Sequence, residues 1–418
     1  MEFKRERYLK QLIDGIGSPL IKVVTGIRRC GKSYLLFTIF DRYLQESGVP
    51  KNHIVKIALD DMENVALRDK TLLYQYIKSK IADDEQYYIL LDEIQYVAGF
   101  EDVLNSLLHI PNVDTFVTGS NSKFLSSDII TEFRGRSDEI RVYPLTFKEY
   151  FEGLGGDARD RLDEYMRFGG LPIVALMSSR EKKLAYLKEV CDKIYLSDLK
   201  QRHRIRNPEE FDSLLDVLAS GIGSLTNAQK LSDTFKTVNK TIISPAAIKK
   251  YIDYYIDAFM VSRARRYDVK GKKYISTPAK YYFCDIGIRN ARIDFRQIEP
   301  THIMENVIYN ELLARGYQVD VGVVEVNATN KAGNGIRKQL EVDFVANKGY
   351  NRYYIQSAYA YYDEAKKEQE RSSLLSIPDS FEKIIITGGS ELPYRDENGY
   401  LIDNLISFLL ESFKKEKD

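Results

Sequence analysis

The sequence predicts an α/β protein whose first part is a parallel sheet covered by helices, and three observations support this fold class. Between about residues 20 and 145, short apolar runs alternate with segments that carry apolar residues at helical spacing. The first run leads into a loop that contains two glycines and then into a helix pattern. A later run, residues 89–93, ends in two acidic residues. A strand, a glycine loop and a helix in this order are typical of sheets that bind phosphate.

The individual elements of this first part follow from their residue types. Residues 21–24, IKVV, are apolar and mostly β-branched, as in a buried strand. Residues 33–44 have the apolar spacing of a helix. The other predicted strands are residues 53–59, 87–94 and 114–120, and the other predicted helices are residues 70–81 and 100–110.

The loop after the first strand has the spacing of a phosphate-binding loop, with a glycine, four residues, and then Gly-Lys-Ser. Glycines let backbone N–H groups curl around phosphate oxygens at a helix N-terminus. Lys32 would reach the β- and γ-phosphates of ATP, and the Ser33 hydroxyl would hold Mg²⁺. The alternative is a glycine turn beside an unrelated lysine. The predicted nucleotide-binding residues of the loop are Gly26, Ile27, Arg28, Arg29, Cys30, Gly31, Lys32, Ser33 and Tyr34.

A phosphate loop of this kind needs a carboxylate at the end of a neighbouring strand, and ILLDE at residues 89–93 supplies two. Asp92 would hold Mg²⁺ through water, and Glu93 would polarise the attacking water near the γ-phosphate. The alternative is that both residues only cap the helix that follows.

A third strand pattern, TFVTGSNS at residues 115–122, ends in small polar side chains. In a sheet of this type it would lie between the loop strand and the carboxylate strand, so that Ser120 or Asn121 would point at the γ-phosphate. Such a residue can sense whether the γ-phosphate is present. The alternative is a plain polar turn.

Two arginines follow this strand in the segment FRGR. Arg134 and Arg136 lie where ATPases place an arginine that offsets charge in the transition state, often in a neighbouring subunit. The alternative for Arg136 is a salt bridge with Asp138 or Glu139. If the arginine acts in a neighbouring subunit, the protein would be an assembly of several identical chains.

Composition restricts the partners and the compartment. The 61 basic and 61 acidic residues cancel, so only a local patch could attract nucleic acid. The three cysteines and four histidines are scattered without metal-ligand spacing. No stretch approaches the about 20 apolar residues that span a bilayer. We therefore expect free thiols, no zinc site, no membrane contact and a cytoplasmic location.

The middle of the chain changes to a helical pattern, which GGLP at residues 169–172 interrupts once. From about residue 208, three helix patterns precede a hairpin with a tight turn near Gly271. Three helices and a hairpin predict a winged-helix domain.

The predicted hairpin carries a basic patch suited to phosphate contacts. Nucleic acid is therefore one candidate partner, but an intramolecular or protein-docking role is the favoured interpretation, because the preceding helix also carries Asp253 and Asp257. The residues of the patch are Arg263, Arg265, Arg266, Lys270, Lys272 and Lys273.

The ordered set GIRRCGKS, LLDE, TGSN, FRGR, PLTFKEY and GGLP resembles the AAA-type bacterial and archaeal ATPases whose C-terminal half is a domain of unknown function. The resemblance implies that Lys32 and Ser33 lie on phosphate and Mg²⁺, and that Asp92 and Glu93 form the acidic pair. It further implies roles for single residues in catalysis and adenine contact, namely Ser120 or Asn121 as sensor, Arg136 as finger, and Gly170 and Pro172 against the adenine.

The last part resembles the restriction-nuclease-like fold, with Glu305 on a helix and Glu341 and Asp343 on a strand. An active member needs an acidic residue and a lysine on the next element, where this chain has Gln356 and Ala358. Glu305 and Asp343 could still hold a metal. An inactive scaffold is nevertheless the favoured interpretation, and an ATP-linked nuclease is the alternative.

The sequence therefore predicts four domains with distinct roles. They are an ATPase core (residues 1–145), a helical lid (146–207), a winged-helix domain (208–285) and a restriction-nuclease-like α/β domain (286–418). The predicted function is Mg²⁺-dependent ATP binding and hydrolysis coupled to a conformational change of the C-terminal domains, with nucleic acid as a candidate target. The alternative is a nucleotide-gated protein-binding switch with slow turnover.

Overall fold

The computed structural model describes residues 2–119, 135–239, 241–296, 298–329, 335–361 and 363–411. The predicted site residues Ser120, Asn121 and Arg134 lie outside the described residues. The chain forms two compact units. The first unit is Met1–Pro144 with Asp257–Phe259, and the second unit is Leu145–Ile256 with Met260–Asp418.

The first unit is built on a five-stranded sheet in which every neighbouring pair is parallel. Its order is β2-β3-β4-β1-β5, so β4 lies between β1 and β3 as the sequence predicted. The parallel α/β fold class is thereby confirmed, while β5 was not predicted. The strands are β1 (Ile21–Thr25), β2 (Ile54–Ala58), β3 (Tyr87–Asp92), β4 (Val113–Thr118) and β5 (Ser137–Arg141).

Helices cover this sheet and bury its apolar residues. The first and third strands are buried along their full length, as expected for a sheet covered on both faces. The helices are α1 (Glu6–Asp14), α2 (Lys32–Tyr34), α3 (Asp41–Glu46), α4 (Lys70–Lys80) and α5 (Phe100–Leu107), with a π-helical segment Leu35–Phe40 between α2 and α3 and 3₁₀ segments at Lys51–His53, Met62–Arg68 and Ile94–Tyr96.

A buried ion pair joins β1 and β4 inside this sheet. The Lys22 ammonium donates to the Asp114 carboxylate at 2.6 Å, and both side chains are almost completely buried. The second Asp114 oxygen accepts the backbone N–H of Gly17 at 2.8 Å. Because a buried charge is tolerated only when it is paired and hydrogen-bonded, this arrangement favours one pairing of the two strands.

The second unit contains an eight-stranded mixed sheet of order β12-β13-β11-β10-β9-β8-β6-β7. The predicted hairpin is β6 and β7, and β6 also pairs in parallel with β8. The hairpin is therefore part of this sheet and not the separate wing that we expected. The strands are β6 (Val261–Asp268), β7 (Lys273–Phe283), β8 (Gln318–Thr329), β9 (Gly335–Lys348), β10 (Asn351–Ala358), β11 (Glu382–Thr387), β12 (Tyr394–Arg395) and β13 (Leu401–Asn404).

The first helix of the second unit begins at Phe147, where the sequence pattern becomes helical. Farther along the chain, Ser244 caps α13 through its hydroxyl, which accepts the N–H of Ala247 at 3.2 Å, and Pro245 is in the first turn. The helices are α6 (Phe147–Leu154), α7 (Ala158–Phe168), α8 (Pro172–Leu176), α9 (Arg180–Glu189), α10 (Ser197–His203), α11 (Pro208–Ser220), α12 (Ala228–Thr234), α13 (Pro245–Asp257), α14 (Ile286–Arg292), α15 (Pro300–Ala314), α16 (Glu364–Leu375) and α17 (Leu405–Leu410), with π-helical segments Val190–Leu196 and Phe235–Asn239. None of the described helices is both long and apolar enough to cross a membrane.

The GGLP segment wraps around a buried carboxylate in the second unit. Asp285 accepts the backbone N–H of Gly170 at 2.7 Å and that of Ile288 at 3.1 Å, together with those of Leu171 and Gly287. Burial raises the pKa of Asp285 to about 6, although the four N–H donors act in the opposite direction. A methyl group at Gly170 would lie 2.2 Å from the carbonyl oxygen of Leu145. Close packing inside this unit therefore explains the requirement for glycine at position 170.

We predict that Asp285→Ala lowers the free energy of unfolding by several kcal/mol. The substitution leaves buried N–H donors without an acceptor, and each such donor costs about 1–3 kcal/mol. Urea unfolding followed by circular dichroism measures the loss. The matched control is Asp363→Ala, because Asp363 is an exposed helix cap in the same unit that accepts the N–H of Lys366 at 2.8 Å. The control should lose only about 0.5–2 kcal/mol. Equal losses in the two variants would contradict the interpretation.

Candidate nucleotide-binding site

The loop between β1 and α2 has a backbone shape that only glycine tolerates at its first position. Gly26 has φ of 139°, and a methyl group there would lie 2.1 Å from the carbonyl oxygen of Val142. The backbone of Val142 in turn donates its N–H to Thr25 at 2.8 Å. The loop is therefore held against the chain segment that follows β5.

The ammonium of Lys32 lies inside the curl of this loop. Lys32 is buried, and its Nζ donates to the carbonyl oxygens of Gly26 at 3.0 Å and Ile27 at 3.1 Å. Both partners are neutral carbonyl groups, so they do not cancel the charge of the ammonium. The loop thus presents a fixed positive charge at a helix N-terminus, which fits a phosphate.

Two other residues of the predicted loop have roles inside the protein. Cys30 is fully buried, and its thiol lies 3.5 Å from the carbonyl oxygen of Val142, so packing accounts for it. Tyr34 is half exposed, and its hydroxyl donates to Glu2 at 3.1 Å. Neither position shows a feature that requires nucleotide contact, and their assignment as nucleotide-binding residues stays a prediction.

The acidic pair lies at the carboxyl end of β3, next to the loop. Asp92 is buried and is hydrogen-bonded to the hydroxyls of Thr118 and Ser33. Burial raises the pKa of the Asp92 carboxyl, while the two hydroxyl groups lower it. The carboxylate and the Ser33 hydroxyl are therefore in contact, and their binding of a shared Mg²⁺ stays a prediction.

Thr118 is a component of the site that the sequence interpretation missed. It is the last residue of β4 and is fully buried. Its hydroxyl donates to Asp92 and accepts the backbone N–H of Glu93 at 3.0 Å. A threonine at the end of the middle strand was visible in TFVTGS, but its contact with both acidic residues depends on the strand order.

Glu93 occupies a left-handed backbone conformation, with φ of 52°, directly after β3. The amide of Gln95 donates a hydrogen bond to the Glu93 carboxylate. Glu93 precedes the 3₁₀ segment Ile94–Tyr96, but its side chain forms no capping hydrogen bond with that segment. The capping alternative is not supported for this residue.

Arg136 is exposed just before β5. Within the part of the chain that the structure describes, it forms no ion pair with Asp138 or Glu139. The Glu139 carboxylate instead accepts the hydroxyl of Thr25 at 2.5 Å. The salt-bridge alternative is therefore not observed among these residues, and the finger role of Arg136 stays a prediction.

ATP with Mg²⁺ fits the residues that the first unit brings together. Lys32 offers a charge for phosphate, and Ser33 with Asp92 offers oxygens for Mg²⁺. Among the described residues, no group of three or more His, Cys, Asp or Glu is placed to hold a metal ion. Mg²⁺ commonly binds through one or two protein groups together with phosphates and water, so it does not need such a group. Gly170 and Pro172 lie in the second unit, and their contact with adenine stays a prediction.

A parallel sheet with a phosphate loop and a neighbouring acidic pair defines the class of P-loop nucleotide-binding proteins. A family model described as an AAA domain matches residues 18–151, and a second, described as a domain of unknown function (DUF8612), matches residues 159–299. The chain belongs to the family of AAA-type P-loop ATPases with a C-terminal domain of unknown function, which confirms the resemblance seen in the sequence.

Two relatives are similar in sequence to this chain over most of their length. A protein of Haemophilus influenzae, described as uncharacterized, is 35% identical over 390 residues, which are 92% of this chain and 93% of the relative. A Methanocaldococcus jannaschii protein with the same description is 29% identical over 366 residues, or 84% of this chain and 77% of the relative.

Two solved structures show distant similarity to this chain. The Orc1 protein of Aeropyrum pernix in complex with DNA is 14% identical, with a TM-score of 0.30, and the match covers 70% of this chain and 93% of that one. Cdc6p from Pyrobaculum aerophilum is 12% identical, also with a TM-score of 0.30, over 72% of this chain and 94% of that one.

We predict that Gly26→Ala disrupts the nucleotide site because its methyl group collides with the backbone of Val142. The variant should lose affinity for a fluorescent ATP analogue at least about tenfold, equivalent to about 1.4 kcal/mol. Gly48→Ala is the matched control, since Gly48 also has a positive φ of 93° but has open space at its Cβ. The control should bind the analogue normally. Unchanged affinity in Gly26→Ala would show that the close contact is not needed.

Proposed function

We propose that this protein binds and hydrolyses ATP in a Mg²⁺-dependent reaction. The observation that carries the proposal is the meeting of Ser33, Asp92 and Thr118 beside the buried Lys32. This arrangement places a phosphate-binding charge and two Mg²⁺-binding oxygen groups at one edge of the sheet. Bound Mg²⁺–ATP supplies the phosphoryl group and the counter-charge that its transfer requires.

Each side chain of this set has a separate task in the proposal. Lys32 exchanges its two carbonyl partners for phosphate oxygens when the nucleotide binds. Ser33 and Asp92 hold Mg²⁺, directly and through water respectively. Glu93 orients and polarises water. Its backbone N–H donates to the Thr118 hydroxyl, which is also hydrogen-bonded to Asp92.

Two further roles rest on position in the chain and on the family. Ser120 or Asn121, which come shortly after the end of β4 in the sequence, would sense the γ-phosphate. Arg136 would offset transition-state charge, and its exposure would let it reach a nucleotide on a second copy of the chain. A homo-oligomer is part of this proposal.

Nucleotide binding could change the second unit through the chain that connects the two units. Val142, which contacts the phosphate loop, precedes the boundary at Pro144 and Leu145 by only a few residues. A loop that moves when its lysine changes partners would displace this segment, because the packing at Gly26 leaves no space. We propose that ATP turnover alters the conformation of the C-terminal part, with a slow nucleotide-gated protein-binding switch as the alternative.

Nucleic acid is the target that the charge of the β6–β7 hairpin favours. Arg263, Arg265, Lys270, Lys272 and Lys273 are all exposed. Lys272 and Lys273 form no ion pair with any described residue, so their charges remain available to phosphate groups.

Two substitutions separate nucleotide binding from turnover. Lys32→Ala should abolish ATP binding because it removes the charge held inside the loop. Glu93→Gln should keep binding and slow hydrolysis, by about 10²-fold or more, because an amide cannot act as a base. Binding of a fluorescent ATP analogue and steady-state phosphate release measure the two effects. Equal loss of binding in both variants would be incompatible with these roles, and tight binding with almost no release by the unmodified protein would favour the switch.

The hairpin surface predicts salt-dependent DNA binding. Lys272→Ala/Lys273→Ala should reduce the slope of log affinity against log salt by about 0.9 per lost phosphate contact. Lys78→Ala/Lys80→Ala removes the same charge from exposed positions of α4 in the first unit and should leave the slope unchanged. Fluorescence anisotropy of labelled duplex DNA across a salt series measures the slope. Absence of DNA binding, or equal effects of both pairs of substitutions, would favour a protein partner.

A further inference from the structure

The predicted nuclease-like centre of the second unit contains a lysine that the sequence motif did not indicate. Lys280 lies on β7, the edge strand of the eight-stranded sheet, and is buried. Its neighbours on other elements are Glu305 on α15 and two acidic residues on β9, Glu341 and Asp343. The four residues come from three elements that are distant in sequence.

The Lys280 ammonium contacts all three carboxylates. Its Nζ is 2.7 Å from Glu305, 2.7 Å from Glu341 and 3.4 Å from Asp343. An ammonium group has three N–H donors, so each donor can meet one carboxylate. The hydrogen-bonding capacity of the lysine is thus fully used inside the cluster.

Other polar groups around the cluster also form hydrogen bonds. The Tyr282 hydroxyl donates to Glu305 at 2.5 Å, and the backbone N–H of Ser357 donates to Asp343 at 2.9 Å. Gln356, which stands where an active nuclease has an acid, donates to Glu370 at 2.9 Å and accepts the N–H of Asp343 at 3.4 Å. These contacts hold the carboxylates around the ammonium.

The charges of the cluster explain why a cation must be present. Burial raises the pKa of Glu305 to about 7, and the neighbouring Asp343 acts in the same direction, while Lys280 opposes the shift. Burial alone would lower the pKa of Lys280, but the three carboxylates outweigh it and raise that pKa. Removal of the ammonium would leave three neighbouring carboxylates without the cation that each of them contacts.

We propose that the Lys280 ammonium is the resident cation of this cluster and occupies the position that a divalent metal would need between Glu305, Glu341 and Asp343. A metal ion there would have to lie within a few ångströms of a buried positive charge, which electrostatic repulsion opposes. A nuclease metal consequently does not fit these residues. The cluster is a metal-independent clamp that joins β7, β9 and α15, and the second unit does not cut nucleic acid.

The clamp adds to the attachment of the edge strand β7, which also pairs with β6. At its end, the Asn306 side chain accepts the N–H of Phe283 and donates to the carbonyl oxygen of the same residue, both at 2.8 Å. Lys280 adds the charged contact to the same helix a few residues earlier. Two kinds of contact therefore hold β7 against α15, namely the hydrogen bonds of Asn306 and the ion pair between Lys280 and Glu305.

Manganese binding by the nucleotide-free, full-length chain tests the proposal. The variant Lys280→Met keeps the length of the side chain but removes its charge. It should unfold at a lower temperature in EDTA, bind about one more Mn²⁺ per chain than the unmodified protein, and regain part of its thermal stability when Mn²⁺ is added. The double variant Lys280→Met/Asp343→Asn should lose this response. Mn²⁺ held through Ser33 and Asp92 is common to all variants and cancels in the comparison.

The unmodified protein provides the decisive second measurement, which does not depend on the folding of a lysine variant. Its Mn²⁺ stoichiometry should be the same as that of Asp343→Asn, and it should not nick supercoiled DNA in the presence of Mn²⁺. Mn²⁺ binding or nicking that disappears in Asp343→Asn would overturn the proposal. A folded Lys280→Met that neither loses stability nor gains Mn²⁺ would overturn it as well.

Discussion

The hydroxyl group of Thr118 connects the two acidic residues on which the nucleotide site depends. It donates to the carboxylate of Asp92 and accepts the N–H of Glu93, so one buried oxygen determines where both residues lie. This is possible only because β4 lies between the strand of the phosphate loop and the strand of the acidic pair. In a parallel sheet, the carboxyl ends of neighbouring strands meet at one edge, which brings Lys32, Ser33 and the acidic pair together.

Buried charges in both units are compensated by specific partners. In the first unit, Lys22 and Asp114 neutralise each other across β1 and β4. In the second unit, four backbone N–H groups surround Asp285, and Lys280 is surrounded by three carboxylates. Isolated charges of this kind would be strongly destabilising. Each cluster therefore favours one packing of the elements that contribute to it.

Asp285 also changes the interpretation of a sequence motif. The resemblance assigns Gly170 and Pro172 of GGLP to an adenine contact, yet the close approach of Gly170 to Leu145 by itself requires a glycine, and its backbone N–H is used by Asp285. A glycine pair can thus reflect close backbone packing as readily as a ligand. Both Gly170 and Asp285 lie inside the segment matched by the second family model.

The sequence by itself determined the parallel α/β class, most of the helices and strands of the first unit, the phosphate loop and the acidic pair. These features depend on local spacing, namely apolar periodicity, the glycine–lysine–serine interval and a carboxylate at the end of a strand. Only the tertiary structure decided the role of Thr118, the place of the β6–β7 hairpin inside a larger sheet, and the insertion of Lys280 among Glu305, Glu341 and Asp343. The physical reason is that each of these depends on contacts between elements far apart in the chain. Strand order and helix packing create such contacts, and no local pattern in the sequence records them.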